Sequence, residues 1–102
     1  MPATVFEQQG DVLTAKPGGR LDTVTSPVFE SEVRSRMDGA REVILDFAKV
    51  EYISSGGLRA VLSLDQQAES RGGSLKLIHV NELIIEIFEL VGFTELITVE
   101  RD

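Results

Sequence analysis

Two hydroxyls stand beside two glycines in Ser54-Ser55-Gly56-Gly57, directly ahead of an apolar-patterned stretch carrying Leu58, Val61, Leu62, Asp65 and Ala68. Serine at a helix N-terminus is exposed in a strand-to-helix loop, and paired glycines remove side chains that would block a close approach. That combination suits a phosphoryl acceptor. A phosphate there adds about −1.5 to −2 charges near free N–H groups at the positive end of the helix dipole. The same hydroxyls can cap the helix, and the two uses are compatible.

Other candidates for chemistry are fewer. Asp22 and Thr25 follow Gly19-Arg20-Leu21 and can serve either as turn and cap groups or in recognition. Asp46 stands at a strand end, as a receiver-domain phosphoacceptor would. The acidic pair that such a domain needs after its first strand is missing, so turn or core-edge structure is expected. Lys49 and Arg59 flank the serine segment and could meet an acidic group, although solvated surface is the ordinary fate of such residues. His79 is the one histidine and has no second ligand at useful spacing, so a structural role is expected. A Ser–His hydrolase would need a nucleophile, a base and an orienting carboxylate. The chain has no Gly-x-Ser-x-Gly elbow. Gly18-Gly19 and Gly72-Gly73 lack the lysine and spacing of a phosphate-binding loop. No enzymatic activity is expected.

Composition narrows the setting. The 102 residues suit a single domain, 1–102, with one modest core. Hydrophobic residues at 42% and charged residues at 26% are ordinary for a globular chain. With no cysteine, disulfides and thiolate metal sites are excluded. Seventeen acidic against ten basic residues give a net charge of −7, which argues against nucleic acid as a partner. It suits solubility or a basic partner, and a monomer is expected. No apolar run is long enough to span a bilayer, and the N-terminus lacks signal-peptide features. The expected location is the cytoplasm.

The elements that must position the serines read in the order ββαβαβα(β). Residues 4–9 and 11–16 read as strands around a Gly10-Asp11 turn, and Pro17-Gly18-Gly19 breaks the run. Ser26-Pro27 opens a helix with Phe29, Val33 and Met37 on one face and Gly39 as its stop. Residues 43–47 read as a strand covered on both faces. A short loop then leads to the serines and a second helix, which Gly72-Gly73 ends. Residues 74–80 read as a strand, and Asn81 caps a third helix facing inward through Ile84, Ile87, Phe88 and Val91. Gly92 closes that helix, and residues 93–99 supply a last strand. Strands alternating with helices after a hairpin imply a mixed sheet with helices packed on it.

The segment Leu45-Asp46-Phe47 through Ser54-Ser55-Gly56-Gly57-Leu58 resembles the signature of STAS domains, which are named for sulfate transporters and anti-sigma-factor antagonists. Gly19-Arg20-Leu21-Asp22 matches that family's Gly-x-Leu-Asp, and Gly72-Gly73 its glycine break. Phe88-Glu89-Leu90-Val91-Gly92-Phe93 resembles its late Phe-x-x-x-Gly element. The resemblance covers nearly the whole chain. It implies an α/β STAS fold, with a four- to five-stranded mixed sheet and three to four helices. It also implies a serine phosphorylated by a partner kinase that doubles as an anti-sigma factor. Aligning Gly57-Leu58 with the family's Gly-Leu puts that serine at Ser55. Ser54 takes the position where the family usually has aspartate, which leaves it as an alternative acceptor.

Partner contacts are expected from Asp22, Thr25, Ser54, Gly56, Gly57 and Arg59. A phosphatase would reset the switch. ATP and Mg²⁺ would belong to the kinase, so the chain itself would need no cofactor or metal. The alternative is a constitutive STAS interaction subunit of a transport ATPase or other signalling complex, using the same surface without phosphorylation.

Overall fold

The computed structural model describes residues 4–100. Val5–Gln9 (β1) and Val12–Lys16 (β2) form an antiparallel hairpin, with Gly10 at φ 60° making the turn. Glu42–Asp46 (β4), Ser74–Ile78 (β6) and Thr98–Val99 (β7) extend it in parallel, giving a five-stranded mixed sheet of order β1-β2-β4-β6-β7. The helices are Ser26–Arg36 (α1), Ser55–Ser70 (α2) and Glu82–Leu90 (α3).

One sheet face is buried through Leu13, Ala15, Val43, Leu45, Leu75 and Leu77. These residues join one cluster with Phe29 and Val33 of α1, Val61 and Leu64 of α2, and Ile84 and Phe88 of α3. Thr14, Ile44 and Lys76, between them in sequence, point the other way and are only half-buried. The strand at 43–47, expected to be covered on both faces, is therefore covered on one, because the helices pack against a single face.

Two elements differ more sharply from the sequence reading. Pro17-Gly18-Gly19 and the segment before the serines read as a break and a loop. In the structure Gly18–Leu21 (β3) and Lys49–Ile53 (β5) pair in parallel as a separate two-stranded sheet. Each continues a strand of the main sheet, β2 into β3 and β4 into β5, and both chains bend at the same level. Pro17 removes a ladder donor at one bend. At the other, Asp46 Oδ1 accepts from the Ala48 N–H at 3.0 Å and the Val50 N–H donates to Phe47 O at 3.0 Å. Asp46 is thus a turn carboxylate. Gly19, at φ 72°, carries the register shift within β3. Arg20 stacks its guanidinium 4.4 Å from the centre of the Tyr52 ring opposite it, a cation–π contact across the pair.

Smaller corrections have local causes. Met37 is the C-cap of α1, two residues before the expected Gly39 stop. Val91 is the C-cap of α3 and is exposed, while Ile85, unremarked in the pattern, is buried. Gly92, at φ 73°, closes the helix as expected. His79 lies one residue beyond β6 in a left-handed bend, φ 57°, whereas the sequence pattern predicts one strand over residues 74–80. The final segment opens with a 3-10 turn, Phe93–Glu95, and only Thr98–Val99 pairs as strand. Phe93 turns in to meet Phe88, their rings 4.8 Å apart.

Candidate functional site

The β3/β5 pair delivers two loops to one end of the molecule. The Ser54 N–H donates to Leu21 O at 2.9 Å, extending the ladder one step past β5. Beyond it the chain turns into α2. A Cβ on Gly57 would stand 2.6 Å from both Leu21 O and Ile53 Cγ1, so only glycine lets α2 begin this close to β3. Gly56 is roomier, its Cβ position 3.4 Å from Thr23 Cα.

The serines divide the roles that sequence left open. Ser54 is the N-cap of α2, yet its hydroxyl caps nothing and donates at 3.4 Å to Leu21 O. Ser55 is the first residue of the helix, exposed, and its hydroxyl makes no hydrogen bond among the described residues. The first-turn N–H groups of Ser55, Gly56 and Gly57 have no intrahelical acceptor. No side chain caps them, and no acidic residue lies in the turn. By contrast, α3 has Asn81 Oδ1 accepting from the Ile84 N–H at 2.9 Å and Glu82 in its first turn.

On the other loop, Asp22 and Thr25 bond each other. Asp22 Oδ1 accepts from the N–H groups of Val24 and Thr25, both at 3.0 Å. The Asp22 N–H donates to Thr25 Oγ1 at 2.9 Å, and that hydroxyl donates to Arg20 O at 2.6 Å. The Thr25 N–H above all holds the Asp22 carboxyl below the usual carboxylate range. The Val24 N–H, the Thr25 hydroxyl and Arg20 add to this, against some desolvation. Asp22 and Thr25 thus build the turn into α1 that sets Thr23 beside Gly56.

Between the starts of α1 and α2 lies a cleft of about 220 Å³, lined by Thr23, Ser26, Glu30, Gly56 and Arg59 among others. Glu30 is held by Arg34 at 2.6 Å and by the Ser63 hydroxyl at 3.0 Å. Arg59 is exposed and has no ion pair among the described residues. Ser26 is 3% exposed, and its Oγ is the one buried side-chain polar atom there without a hydrogen-bond partner. Val24 and Val28, 78% and 54% exposed, put apolar surface on the same loop and helix start.

Asp22, Thr25, Ser54, Ser55, Gly56, Gly57 and Arg59 are therefore carried by two neighbouring loop–helix junctions. Lys49 is not with them. It opens β5, the far end of the strand from Ser54, and shares a hollow with Lys16 and Asp46. Val24 and Val28 do not figure in the sequence reading, and Ser26 figures there only as the opening of a helix. Their signal, two valines spaced by four across a Ser-Pro helix start, was absorbed into the prediction of the helix itself. Among the described residues, no group of three or more His, Asp or Glu is placed to hold a metal ion, and no helix is long and apolar enough to cross a membrane.

This architecture is that of a STAS domain. The STAS family model matches residues 3–102, and the chain belongs to that family. A Bordetella bronchiseptica protein assigned as an anti-sigma factor antagonist, BtrV, is 34% identical over 82 residues, spanning 79% of this chain and 71% of its own. A Thermotoga maritima protein of the same assignment superposes with a TM-score of 0.88 at 21% identity, over 97% of this chain and 86% of that one. The anti-sigma factor antagonist SpoIIAA of Bacillus matches over 96% of this chain in both its solved forms. The unphosphorylated form gives a TM-score of 0.75 at 15% identity over 87% of its chain, and the phosphorylated form 0.74 at 16% over 91%.

Proposed function

We propose that this protein is an anti-sigma-factor antagonist that works as a phosphorylation-controlled partner switch, with Ser55 as the acceptor. The carrying observation is the division between the serines: Ser54 turns its hydroxyl onto Leu21 O, whereas Ser55 offers an exposed hydroxyl at an uncapped helix start. The names of the relatives, and the existence of SpoIIAA in phosphorylated and unphosphorylated forms, support the same reading.

Unmodified protein binds a serine kinase that also acts as an anti-sigma factor, and so frees the sigma factor. Val24 and Val28 supply apolar contact, and the Asp22–Thr25 turn, Ser54, Gly56, Gly57 and Arg59 supply shape and polar contact. The kinase holds Mg-ATP. The Ser55 Oγ–phosphorus bond forms as the bond from the γ-phosphorus to the β-phosphate oxygen breaks; ADP leaves and the hydroxyl proton passes to a base on the kinase. The added charge in a desolvated interface costs several kcal/mol, about the scale of a hundredfold or greater loss of affinity. A separate phosphatase resets the chain, which itself needs no cofactor, and the exchange takes place in the cytoplasm.

Intact mass after incubation with Mg-ATP and the partner kinase, identified by its retention on a column of this protein, tests the reading. One added phosphate, absent only in Ser55→Ala and retained in Ser54→Ala, is expected. Retention of a partner without any phosphate transfer would replace the switch with a constitutive binding subunit.

A further inference from the structure

We propose that Arg59 is the internal counter-ion of phospho-Ser55, so that phosphorylation withdraws a cation from the partner-facing surface as well as adding an anion to it. The proposal rests on Ser55 being the acceptor. Residues four apart on a helix are neighbours on one face, which places the Arg59 guanidinium within reach of a phosphate on Ser55. The three N–H groups at the start of α2 are unfilled by any cap or acidic side chain. A phosphate on Ser55 can accept from them and from Arg59 together, since a planar guanidinium suits bidentate contact with phosphate oxygens.

A second, independent observation points the same way. Ser26 is buried with its hydroxyl unpartnered, and it lines the cleft that Gly56 and Arg59 also line. A cleft bordered by an exposed arginine, a helix start and an unpartnered hydroxyl is furnished with donors for an oxyanion. Its one carboxylate, on Glu30, is already held by Arg34 and Ser63. Arg59 therefore has two alternative partners: a group on the kinase before modification, and the phosphate of its own chain afterwards.

The test uses the full chain with phosphoserine installed at position 55 during translation, so it does not depend on a kinase. The phosphorus NMR shift is followed against pH. The expected second ionisation lies below the value of about 6 usual for phosphoserine, and Arg59→Gln raises it by at least a few tenths of a unit, with Arg59→Lys falling between. Ser26→Ala gives a smaller rise. An Arg59→Gln protein that keeps its fold and leaves the phosphate titration unchanged overturns the proposal. Failure of the kinase to modify Ser55 would sink the switch reading while leaving this result intact.

Discussion

Leu21 and Ser54, thirty-three residues apart, are joined twice: Leu21 O accepts both the Ser54 N–H at 2.9 Å and the Ser54 hydroxyl at 3.4 Å. The residue ahead of the proposed acceptor is thus tied to the end of β3, and Ser55 follows it as the first residue of α2. A kinase presented with such a loop meets a hydroxyl already positioned, which limits the ordering entropy lost on docking.

Gly57→Ala is expected to destabilise the protein by about 1–3 kcal/mol, because the new methyl must displace Leu21 O or Ile53. Gly56→Ala, one residue earlier, is expected to stay within about 1 kcal/mol of the parent, since helix propensity gained offsets a contact that is only tight. Urea midpoints at equal slope separate the two.

Val24→Ser is expected to leave the melting temperature within about a degree or two, because a side chain 78% exposed contributes little to the core. Partner affinity is expected to fall by roughly tenfold if this valine is an anchor. Calorimetric titration with the purified kinase measures it, and unchanged affinity would remove Val24 from the proposed interface.

Burial pushes the Asp65 carboxyl up, and Glu69 adds to it. Asp65 is 6% exposed, on the inner side of α2. Its folded state holds a proton more tightly than the unfolded chain. Stability therefore declines as pH rises from the ordinary carboxylate value through the raised one, then levels off. Asp65→Asn is expected to raise Tm at neutral pH by a few degrees, equivalent to roughly half a kcal/mol. The gain should shrink below about pH 3, under the ordinary carboxylate range, where the carboxyl is protonated in both states. Thermal unfolding at the two pH values checks it.

For Asp22 the sign is opposite. Its carboxyl is held low by the Thr25 N–H first, so the turn is at full strength at neutral pH and weakens as pH falls through a value below the usual carboxylate range. The Val24 and Thr25 amide signals are expected to titrate together there. In Asp22→Asn they should lose that transition while the turn persists.

The sequence made the helices legible because Phe29/Val33, Val61/Ala68 and Ile84/Phe88 keep helical spacing, and Asn81 announces its cap. The site was legible through Ser54 to Leu58, whose glycines have a steric reason visible only in part from the sequence. Gly57 is required by Leu21 O, an atom thirty-six residues away in the chain. The β3/β5 pair was hidden for a related reason. Pro17-Gly18-Gly19 is turn chemistry by local rules, and only long-range pairing with Lys49–Ile53 makes it strand. Lys49 was misplaced with it, because a loop read as compact is an extended strand that carries Ser54 away from it. Ser26 was read as a helix cap, and its burial without a partner is a property of how α1 meets α2.

Because the β3/β5 pair has only two strands, its outer backbone groups have no third strand to bond, unlike those of β2 and β4 in the main sheet. Local opening draws on such sparsely paired segments before the core. Amide hydrogens of Gly18–Leu21 and Lys49–Ile53 will therefore exchange with solvent well ahead of those in Val12–Lys16 and Glu42–Asp46. A partner seated across the two loops will slow that exchange. The pedestal under the serine thus doubles as a clock for occupancy, readable without any label on the partner.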